Sequence, residues 1–473
     1  METLKEKEIQ KVAEKTPIKM PHTYVLLCGI LIVIAVLTWI IPAGTFERTK
    51  NEVLNRVVVV PGSFKFVDRT PVGPFKAMMS LVKGMQETAD IIFFIFFAYG
   101  FIYMLIKSGA FYGALGKLMN KMQHAEKLIF PTFMLIFGIC GSTFGLYEET
   151  YGLLPAFMGI SMALGYDALV GGAAVIVGTA TGFAAATLNP FTIGVAAGIA
   201  ETDLNTGLPF RIVCFIIFQG VAILYLSRYA AKVKANPELS IVKDVKFKIS
   251  TDMTREKMIN LPFTTRHVII MMAFLATLVL LMFGCIKWGW YLNELSTLFL
   301  IMMIVVGLIN RMSFSEIASS FVESISDVVF GALAVGVARS LTIVMQEGQI
   351  IDTIINYVSN PIASLPKSVA GIGMVIVQNF INFFIPSGSG QAAVSMPIMA
   401  PLADAISMNR EVSVLAFQFG DGFSNMFWPT SAGTLCGLMG LPIDKWYKFI
   451  TPLFVIMIAL QFILIAVSTY IFV

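Results

Sequence analysis

Charged side chains are scarce in this sequence. Asp, Glu, Lys and Arg make up 13% of the 473 residues, whereas 57% of the residues are hydrophobic. Soluble domains carry about 25% charged residues, so the composition excludes an ordinary soluble protein. The apolar residues fall in repeated runs, many of them close to the ~20 residues that one membrane-spanning helix needs. The sequence therefore predicts an all-α polytopic protein surrounded by membrane lipid.

Cysteine and histidine are also rare, and their placement excludes several classes of protein. The three histidines lie at segment edges, and the five cysteines stand singly at Cys28, Cys140, Cys214, Cys285 and Cys436. No spacing indicates a disulfide framework or a metal site. Because no nucleophile–base pair and no hydrophilic catalytic domain occurs, we expect no enzymatic activity, no metal and no cofactor. The net charge of +4 is small and lies mostly in tails and loops, which argues against a nucleic-acid partner.

The hydropathy pattern divides the chain into two halves. We assign residues 1–23 to a hydrophilic tail, 24–227 to a first transmembrane repeat, 228–266 to a linker and 267–473 to a second repeat. The linker holds nine Lys and Arg against four Asp and Glu, and the positive-inside rule favours a cytoplasmic position for it. The orientation of the N-terminus stays open, because the lysine-rich tail and the loop 43–90 are both basic.

Two shorter features lie between the first and second predicted spans. The polar segment around residues 57–62, a run of valines followed by Pro-Gly, is typical of a short extended hairpin outside the bilayer. Residues 74–89 are amphipathic and predict a helix at the membrane interface.

Two apolar segments, 142–166 and 386–408, are interrupted by Gly, Pro, Ser and Thr. Lipid cannot hydrogen-bond a broken backbone, so such interruptions persist only where protein buries them or where they line a wet cavity. We expect each segment to form a re-entrant helical hairpin. A second break follows each one, at Asn189-Pro190 and at Trp428-Pro429. Broken segments at matching places in two halves of a membrane chain indicate the binding site of a transporter.

The two halves also resemble each other at an offset of about 240 residues. The segment 87–92 matches the segment 324–329, which aligns Asp90 with Asp327. We expect both aspartates to cap the start of a spanning helix. Duplicated halves of a carrier are commonly inverted repeats. The predicted spans place six crossings between the paired helices, whereas inversion requires an odd number, so one predicted boundary must be wrong.

Ionisable side chains within the apolar segments are the first candidates for function. Glu148 and Glu149 lie in the first predicted hairpin, and Asp421 lies mid-span between two glycines. Adjacent carboxylates repel in a low dielectric, so at least one requires a cation, a proton or several donors. The alternatives are that Glu148 and Glu149 reach a solvated turn, and that Asp421 forms a structural pair with Arg339. We assign Arg339 the role of a charge partner for an acidic residue in the core.

Polar side chains and glycine cluster at the hairpin tips and helix breaks, and complete the set of predicted substrate-binding residues: Ser142, Thr143, Asn189, Ser387, Gly388, Ser389, Asn425, Thr430 and Ser431. Helix N-termini at such breaks attract a carboxylate, and exposed carbonyls at broken C-terminal ends attract a cation. With the acidic residues, the set favours a zwitterion that has a basic side chain. A dicarboxylate would meet two or three uncompensated carboxylates.

Three motifs resemble a known transporter family. The segments 385–393, 147–150 and 419–422 are similar to those of the YfcC-type basic amino acid antiporters, in the C4-dicarboxylate anaerobic carrier (DcuC-like) family of the ion transporter superfamily. The resemblance covers nearly the whole chain. It implies a bacterial inner-membrane protein with two inverted repeats, a homodimer and an elevator-type movement. Dicarboxylate members carry Ser-Asn-Thr at the hairpin tips, whereas here the tips read Gly-Ser-Thr at 141–143 and Ser-Gly-Ser at 387–389.

We therefore expect a secondary antiporter that exchanges basic amino acids such as arginine and ornithine. The alternative is an H⁺- or Na⁺-coupled transporter of C4-dicarboxylates or other organic anions, in which the acidic residues bind the coupling ion. Coupling to Na⁺ or H⁺ stays open in either case. A channel is disfavoured, because it would need no duplicated occluding hairpins.

Overall fold

The computed structural model describes residues 22–51, 56–121, 126–247 and 260–472. Nearly all of the predicted hydrophilic tail and residues 248–259 of the predicted linker lie outside the described residues. Helices dominate the described part, and seven of them are long and apolar enough to cross a membrane. The prediction of an all-α polytopic membrane protein is confirmed.

The first half is a series of helices separated by short breaks. Its helices are α1 (Thr23–Ile40), α2 (Pro74–Glu87), α3 (Ala89–Lys107), α4 (Ala110–Lys121), α5 (Ile129–Phe144), α6 (Leu154–Ala163), α7 (Ala168–Ala184), α8 (Ile193–Ile199) and α9 (Leu208–Ala235). Single 3₁₀ segments precede α5 and α6, at Glu126–Leu128 and Glu148–Leu153. Helix α9 continues eight residues into the predicted linker.

From its third helix onward, the second half follows the same order of elements as α3 to α9. Its helices are α10 (Thr265–Phe283), α11 (Leu292–Ile309), α12 (Phe314–Glu347), α13 (Ile351–Ser359), α14 (Lys367–Phe384), α15 (Gly388–Ala405), α16 (Arg410–Ser424), α17 (Pro429–Met439) and α18 (Ile443–Ile471). Helix α12 begins well before its predicted start at 327, because Ser313 and Glu316 form a capping box there. A 3₁₀ segment at Pro237–Leu239 follows α9, a π-helical turn at Gly284–Trp288 follows α10, and a 3₁₀ segment at Asn360–Ser364 follows α13.

Two small antiparallel ribbons lie between α1 and α2. Strand β1 (Gly44–Thr45) pairs with β4 (Lys65–Phe66), and β2 (Arg48–Asn51) pairs with β3 (Arg56–Val59). The predicted extended hairpin is thus confirmed. The Arg48 guanidinium donates to both carboxylate oxygens of Asp352 at 2.9 Å, which ties the ribbon to α13.

The chain reverses direction between α5 and α6 and again between α14 and α15. The rings of Phe133 and Phe157 have centroids 4.8 Å apart, although these residues would be about 36 Å apart along one continuous helix. In the second pair, Gln391 Nε2 donates to the carbonyl oxygen of Gln378 at 2.9 Å. We call these two units hairpin 1 (α5 and α6) and hairpin 2 (α14 and α15).

The hairpins are longer than the sequence analysis predicts. The segments 142–166 and 386–408 contain little more than the tip and second arm of each one. Hydropathy alone assigns the first arms, α5 and α14, to separate spans. Because each first arm is a continuous, largely apolar helix of 16 or 18 residues, the sequence does not distinguish it from a span, and only the contacts between the arms show the reversal.

The contacts between the halves are reciprocal. At the offset of 240, Glu87 corresponds to Asp327 and Tyr99 corresponds to Arg339. Glu87 Oε2 accepts from Arg339 Nε at 2.9 Å, and Asp327 Oδ2 accepts from the Tyr99 hydroxyl at 3.2 Å. Such an exchange of partners is what a two-fold relation between two similar units produces.

These contacts correct the predicted alignment and the predicted helix caps. Glu87, not Asp90, is the counterpart of Asp327 at this offset. Asp327 lies inside α12 and caps nothing, whereas Asp90 lies in the first turn of α3, with Thr88 at the cap position. Helix α2 is confirmed, but it packs along α12 instead of lying only at an interface, since a Cβ at Gly84 would overlap the Gly336 carbonyl oxygen.

The two broken helices, α7–α8 and α16–α17, cross where Gly422 meets Ala184. A Cβ at position 422 would overlap the Cα of Ala184. We expect Gly422→Ala to separate the two helices and to destabilise the protein by about 1–3 kcal/mol. The measurement is the melting temperature of the purified protein in detergent. Gly220→Ala in α9 is the matched control, because nothing lies within 4 Å of its added Cβ. Equal melting temperatures for the two variants would contradict this account.

Candidate functional site

The tips of the two hairpins enclose a cavity of 310 Å³. Its walls come from both halves of the chain: from hairpin 1 at Gly145 and Tyr147–Glu149, from hairpin 2 at Pro386–Ser389, from the helix breaks at Phe191, Thr192 and Asn425, and from helices α2, α3, α11, α12 and α17. A concave site of this size, with convergent polar groups, is typical of small-molecule binding.

Most of the predicted binding residues line this cavity. They are Glu148, Glu149, Ser387, Gly388, Ser389, Asn425, Thr430 and Ser431. Residues 148 and 387 are far apart in the sequence. The fold therefore brings together side chains that the sequence analysis grouped only by their chemistry.

Ser142, Thr143 and Asn189 are not among the described residues that line the cavity. The Ser142 carbonyl accepts hydrogen bonds from the backbone N–H groups of Thr187, Leu188 and Asn189, at 2.9 to 3.2 Å. It thereby joins the end of α5 to the break after α7. The Thr143 hydroxyl donates to the Ile139 carbonyl in its own helix, at 2.6 Å. These residues shape hairpin 1 and the break beside it.

Asp421 is fully buried behind the cavity wall. Its Oδ1 atom accepts from Asn382 Nδ2 at 3.0 Å, and its Oδ2 atom would lie 3.0 Å from a Cβ placed on Gly388. Among the described residues, Oδ2 has no hydrogen-bond partner. Asp421 therefore lies directly against the tip of hairpin 2, one layer behind the cavity.

The predicted alternative, a pair between Asp421 and Arg339, is wrong. Arg339 Nε and Nη2 lie 2.9 and 2.8 Å from Glu87 Oε2, at the edge of the cavity. Glu87 was not predicted as a site residue, because it ends an amphipathic helix and a side chain at such a position is usually solvated. The sequence did contain a signal for Glu87: it lies 240 residues before Asp327, which is the offset between the two halves.

The charges on the cavity wall are strongly unbalanced. Among the described residues, four carboxylates line it, at Glu87, Asp90, Glu148 and Glu149, against the single guanidinium of Arg339. In a low-dielectric setting this excess attracts cations and repels anions.

Glu149 is held in position by the tip of hairpin 1. Its Oε2 atom accepts from the backbone N–H of Tyr147 at 2.9 Å. The Tyr147 ring contacts the Phe183 ring at a centroid distance of 5.1 Å, which adds an aromatic wall beside the carboxylates. Glu148 and Glu149 are both only partly exposed. The predicted alternative of a fully solvated turn does not hold.

A second and larger cavity, of 670 Å³, adjoins the first. It lies between the ribbon, the end of α12, the start of α13 and hairpin 2, and Arg48 and Asp352 are in its wall. The two cavities share four residues, Arg339, Thr342, Ser387 and Ser389. Arg339 and the tip of hairpin 2 thus lie at the junction between them.

A polar cavity enclosed by hairpin tips and broken helices, within a bundle of apolar spans, defines a multi-pass membrane transporter. The family model described as "C4-dicarboxylate anaerobic carrier" (DcuC) matches residues 20–470. The chain belongs to this family, and it is a multi-pass protein of the inner membrane.

Two relatives and two solved structures are similar to nearly the whole chain. The chain is 30% identical to the Escherichia coli protein named "Putative basic amino acid antiporter YfcC", with 91% of this chain and 92% of that protein covered. It is 28% identical to an uncharacterized protein of Haemophilus influenzae, with 96% and 98% covered. Two solved transporters are similar: YdaH of Alcanivorax borkumensis (TM-score 0.43, 14% identity, 94% and 98% covered) and MtrF of Neisseria gonorrhoeae (0.45, 17%, 98% and 98%).

Proposed function

We propose that this transporter exchanges basic amino acids, such as arginine for ornithine, across the bacterial inner membrane. The observation that carries the proposal is the cavity between the hairpin tips, with four carboxylates and one guanidinium on its wall. A substrate with a net positive charge offsets this excess, whereas a dianion increases the repulsion. The name of the Escherichia coli relative supports the same substrate class.

The two ends of such a substrate have distinct partners. Ser387 caps helix α15, whose N-terminus faces the cavity and carries a partial positive charge suited to the α-carboxylate. Ser389 adds a hydroxyl in the first turn. The basic side chain is placed against Glu148 and Glu149, on the tip of hairpin 1.

Exchange follows from the electrostatics of the empty site. Without a bound cation, the clustered carboxylates lack compensating charge in a low dielectric, which is unfavourable. We propose that the unloaded carrier therefore reorients slowly, and that a second substrate must bind before the return step. Antiport then requires no separate coupling ion.

The fold supports inverted repeats. If each hairpin returns the chain to the side from which it entered, five crossings separate the start of α3 from the corresponding part of α12: α3, α7 with α8, α9, α10 and α11. This odd number would satisfy inversion, and the first arm of hairpin 1 would then be the excess crossing in the sequence-based count. The reciprocal contacts of α2, α3 and α12 fit the same relation. We further propose a homodimer in which the hairpins and broken helices move as an elevator.

One finding favours a second candidate function. The family description names C4-dicarboxylates, and such a substrate would require H⁺ or Na⁺ coupling to offset the carboxylates on the wall. Asp421, with its Oδ2 atom unpartnered, is then the candidate carrier of the coupling ion.

Counterflow in proteoliposomes separates the two functions. Vesicles loaded with unlabelled arginine and diluted into trace labelled arginine are expected to accumulate label without any imposed ion gradient. External ornithine and lysine should compete with the label, and succinate should not. Uptake of succinate that depends strictly on an H⁺ or Na⁺ gradient, with no arginine counterflow, would overturn the proposal in favour of the second function.

A further inference from the structure

The ion pair between Glu87 and Arg339 has no role in the substrate-binding scheme so far, although both residues line the cavity. We propose that this pair recognises the α-amino acid head group. The substrate's α-carboxylate replaces Glu87 as the partner of Arg339, and its α-ammonium group replaces Arg339 as the partner of Glu87. The inference rests on the proposed function and adds to it the feature that selects amino acids from other organic cations.

The pair is accessible to a ligand. The side chains of Arg339 and Glu87 are 33% and 43% exposed, and both nitrogen contacts from Arg339 go to one oxygen, Oε2. Because a zwitterionic ligand supplies an opposite charge to each group, it can separate the two without leaving either charge unpaired. The planar guanidinium also presents a fork of donors that matches a carboxylate.

The position of Arg339 suits this role. Together with Ser387 and Ser389 it lies at the junction of the two cavities, so the guanidinium and the N-terminus of α15 share one site. A carboxylate at that junction contacts a positive charge and a positive helix end. The side chain of the substrate then extends toward Glu148 and Glu149 in the smaller cavity.

The equivalent contact between the two halves has a neutral donor in place of the guanidinium. There, the Tyr99 hydroxyl and Asp327 join helices α3 and α12 through one hydrogen bond of 3.2 Å. Neither residue is among the described residues that line the cavity. Of these two equivalent contacts, the one with the guanidinium lies at the cavity and the one with the hydroxyl lies away from it.

Charge pairing explains selection against two kinds of competitor. A zwitterionic head group leaves no charge of the pair unpartnered, because it supplies one group for each. A dicarboxylate would displace Glu87 and leave that carboxylate without a cation. An amine that lacks a carboxylate cannot replace Glu87 as the partner of Arg339. It must therefore bind while the ion pair between Glu87 and Arg339 stays intact.

Three ligands test the proposal on the purified full chain. They are arginine, agmatine (which keeps the amine but lacks the carboxylate) and Nα-acetylarginine (which keeps the carboxylate but lacks the ammonium charge). Dissociation constants are measured by titration calorimetry. We expect the parent protein to bind arginine at least tenfold more tightly than either analogue. Arg339→Gln should weaken arginine at least tenfold and leave agmatine unchanged or tighter. Glu87→Gln should weaken arginine and leave Nα-acetylarginine unchanged.

The controls distinguish recognition from a structural effect. Tyr99→Phe, in the equivalent pair, should leave the ratio of arginine to agmatine affinity unchanged. Equal affinity of the parent for arginine and agmatine would overturn the inference, and so would equal weakening of both by Arg339→Gln. Either result leaves the proposed function intact if arginine still exchanges in vesicles. If the parent binds and exchanges neither arginine nor ornithine, the proposed function itself fails.

Discussion

Glu149→Gln is expected to abolish amino acid exchange while leaving the protein folded and inserted. The substitution removes one negative charge from the cavity wall and changes almost nothing else. An amide oxygen at this position can still accept the backbone N–H of Tyr147, as Oε2 does at 2.9 Å in the parent. Hairpin 1 should therefore keep its shape, while the basic side chain of the substrate loses its fixed carboxylate partner.

The expected size of the effect follows from the low dielectric around the Glu149 carboxylate. A hydrogen-bonded ion pair with a carboxylate inside the membrane is far stronger than the same pair in water, because the surrounding dielectric is low. We expect the initial rate of arginine counterflow to fall at least 100-fold at equal amounts of reconstituted protein. Glu148→Gln should also reduce the rate, because it lowers the same excess of negative charge.

The control for Glu149→Gln is Glu238→Gln. Glu238 follows α9 on an exposed segment, where its ion-pair partner among the described residues is Lys243, at 2.9 Å. This variant should exchange arginine at the parental rate. Melting temperature and size-exclusion profile establish that each variant is folded. Parental activity in Glu149→Gln would remove Glu149 from the binding site.

The second large effect is expected at the buried ion pair between Arg211 and Glu411. Both side chains are only 1% exposed, and Arg211 Nη1 lies 2.6 Å from Glu411 Oε1. Arg211 also donates to the carbonyl oxygens of Thr187 and Leu204. It thus connects the break after α7 to the start of α16. Removal of either charge leaves the other buried without its partner, which costs about 3–5 kcal/mol.

The test is a set of single and double substitutions. Arg211→Met and Glu411→Leu alone should each lower the melting temperature strongly. The double variant should be less destabilised than the sum of the two, because it leaves no unpaired buried charge. Lys243→Met is the control from the exposed pair with Glu238, and it should change stability by no more than about 1 kcal/mol. If both single variants have the same melting temperature as Lys243→Met, the ion pair between Arg211 and Glu411 does not stabilise the contact between the two halves.

Hydropathy and the positions of Gly and Pro were sufficient to predict several features of the fold. They predicted the apolar spans, the ribbon near residues 57–62 and the interruption of two segments in matching places. Each of these depends on residues that are near one another in the sequence. The chemistry of Glu148 and Glu149 was visible for the same reason, since two adjacent carboxylates in an apolar segment stand out without any partner.

The composition by itself determined that this is a polytopic membrane protein, and the breaks in its spans indicated where a site would form. Only the tertiary structure decided how far each hairpin extends, because the reversal shows in contacts such as Phe133 with Phe157. It alone paired Arg339 with Glu87 and Arg211 with Glu411, across more than 190 residues of chain. The physical reason is that a buried charge specifies only that it needs a partner, whereas the packing of distant helices determines which partner it meets.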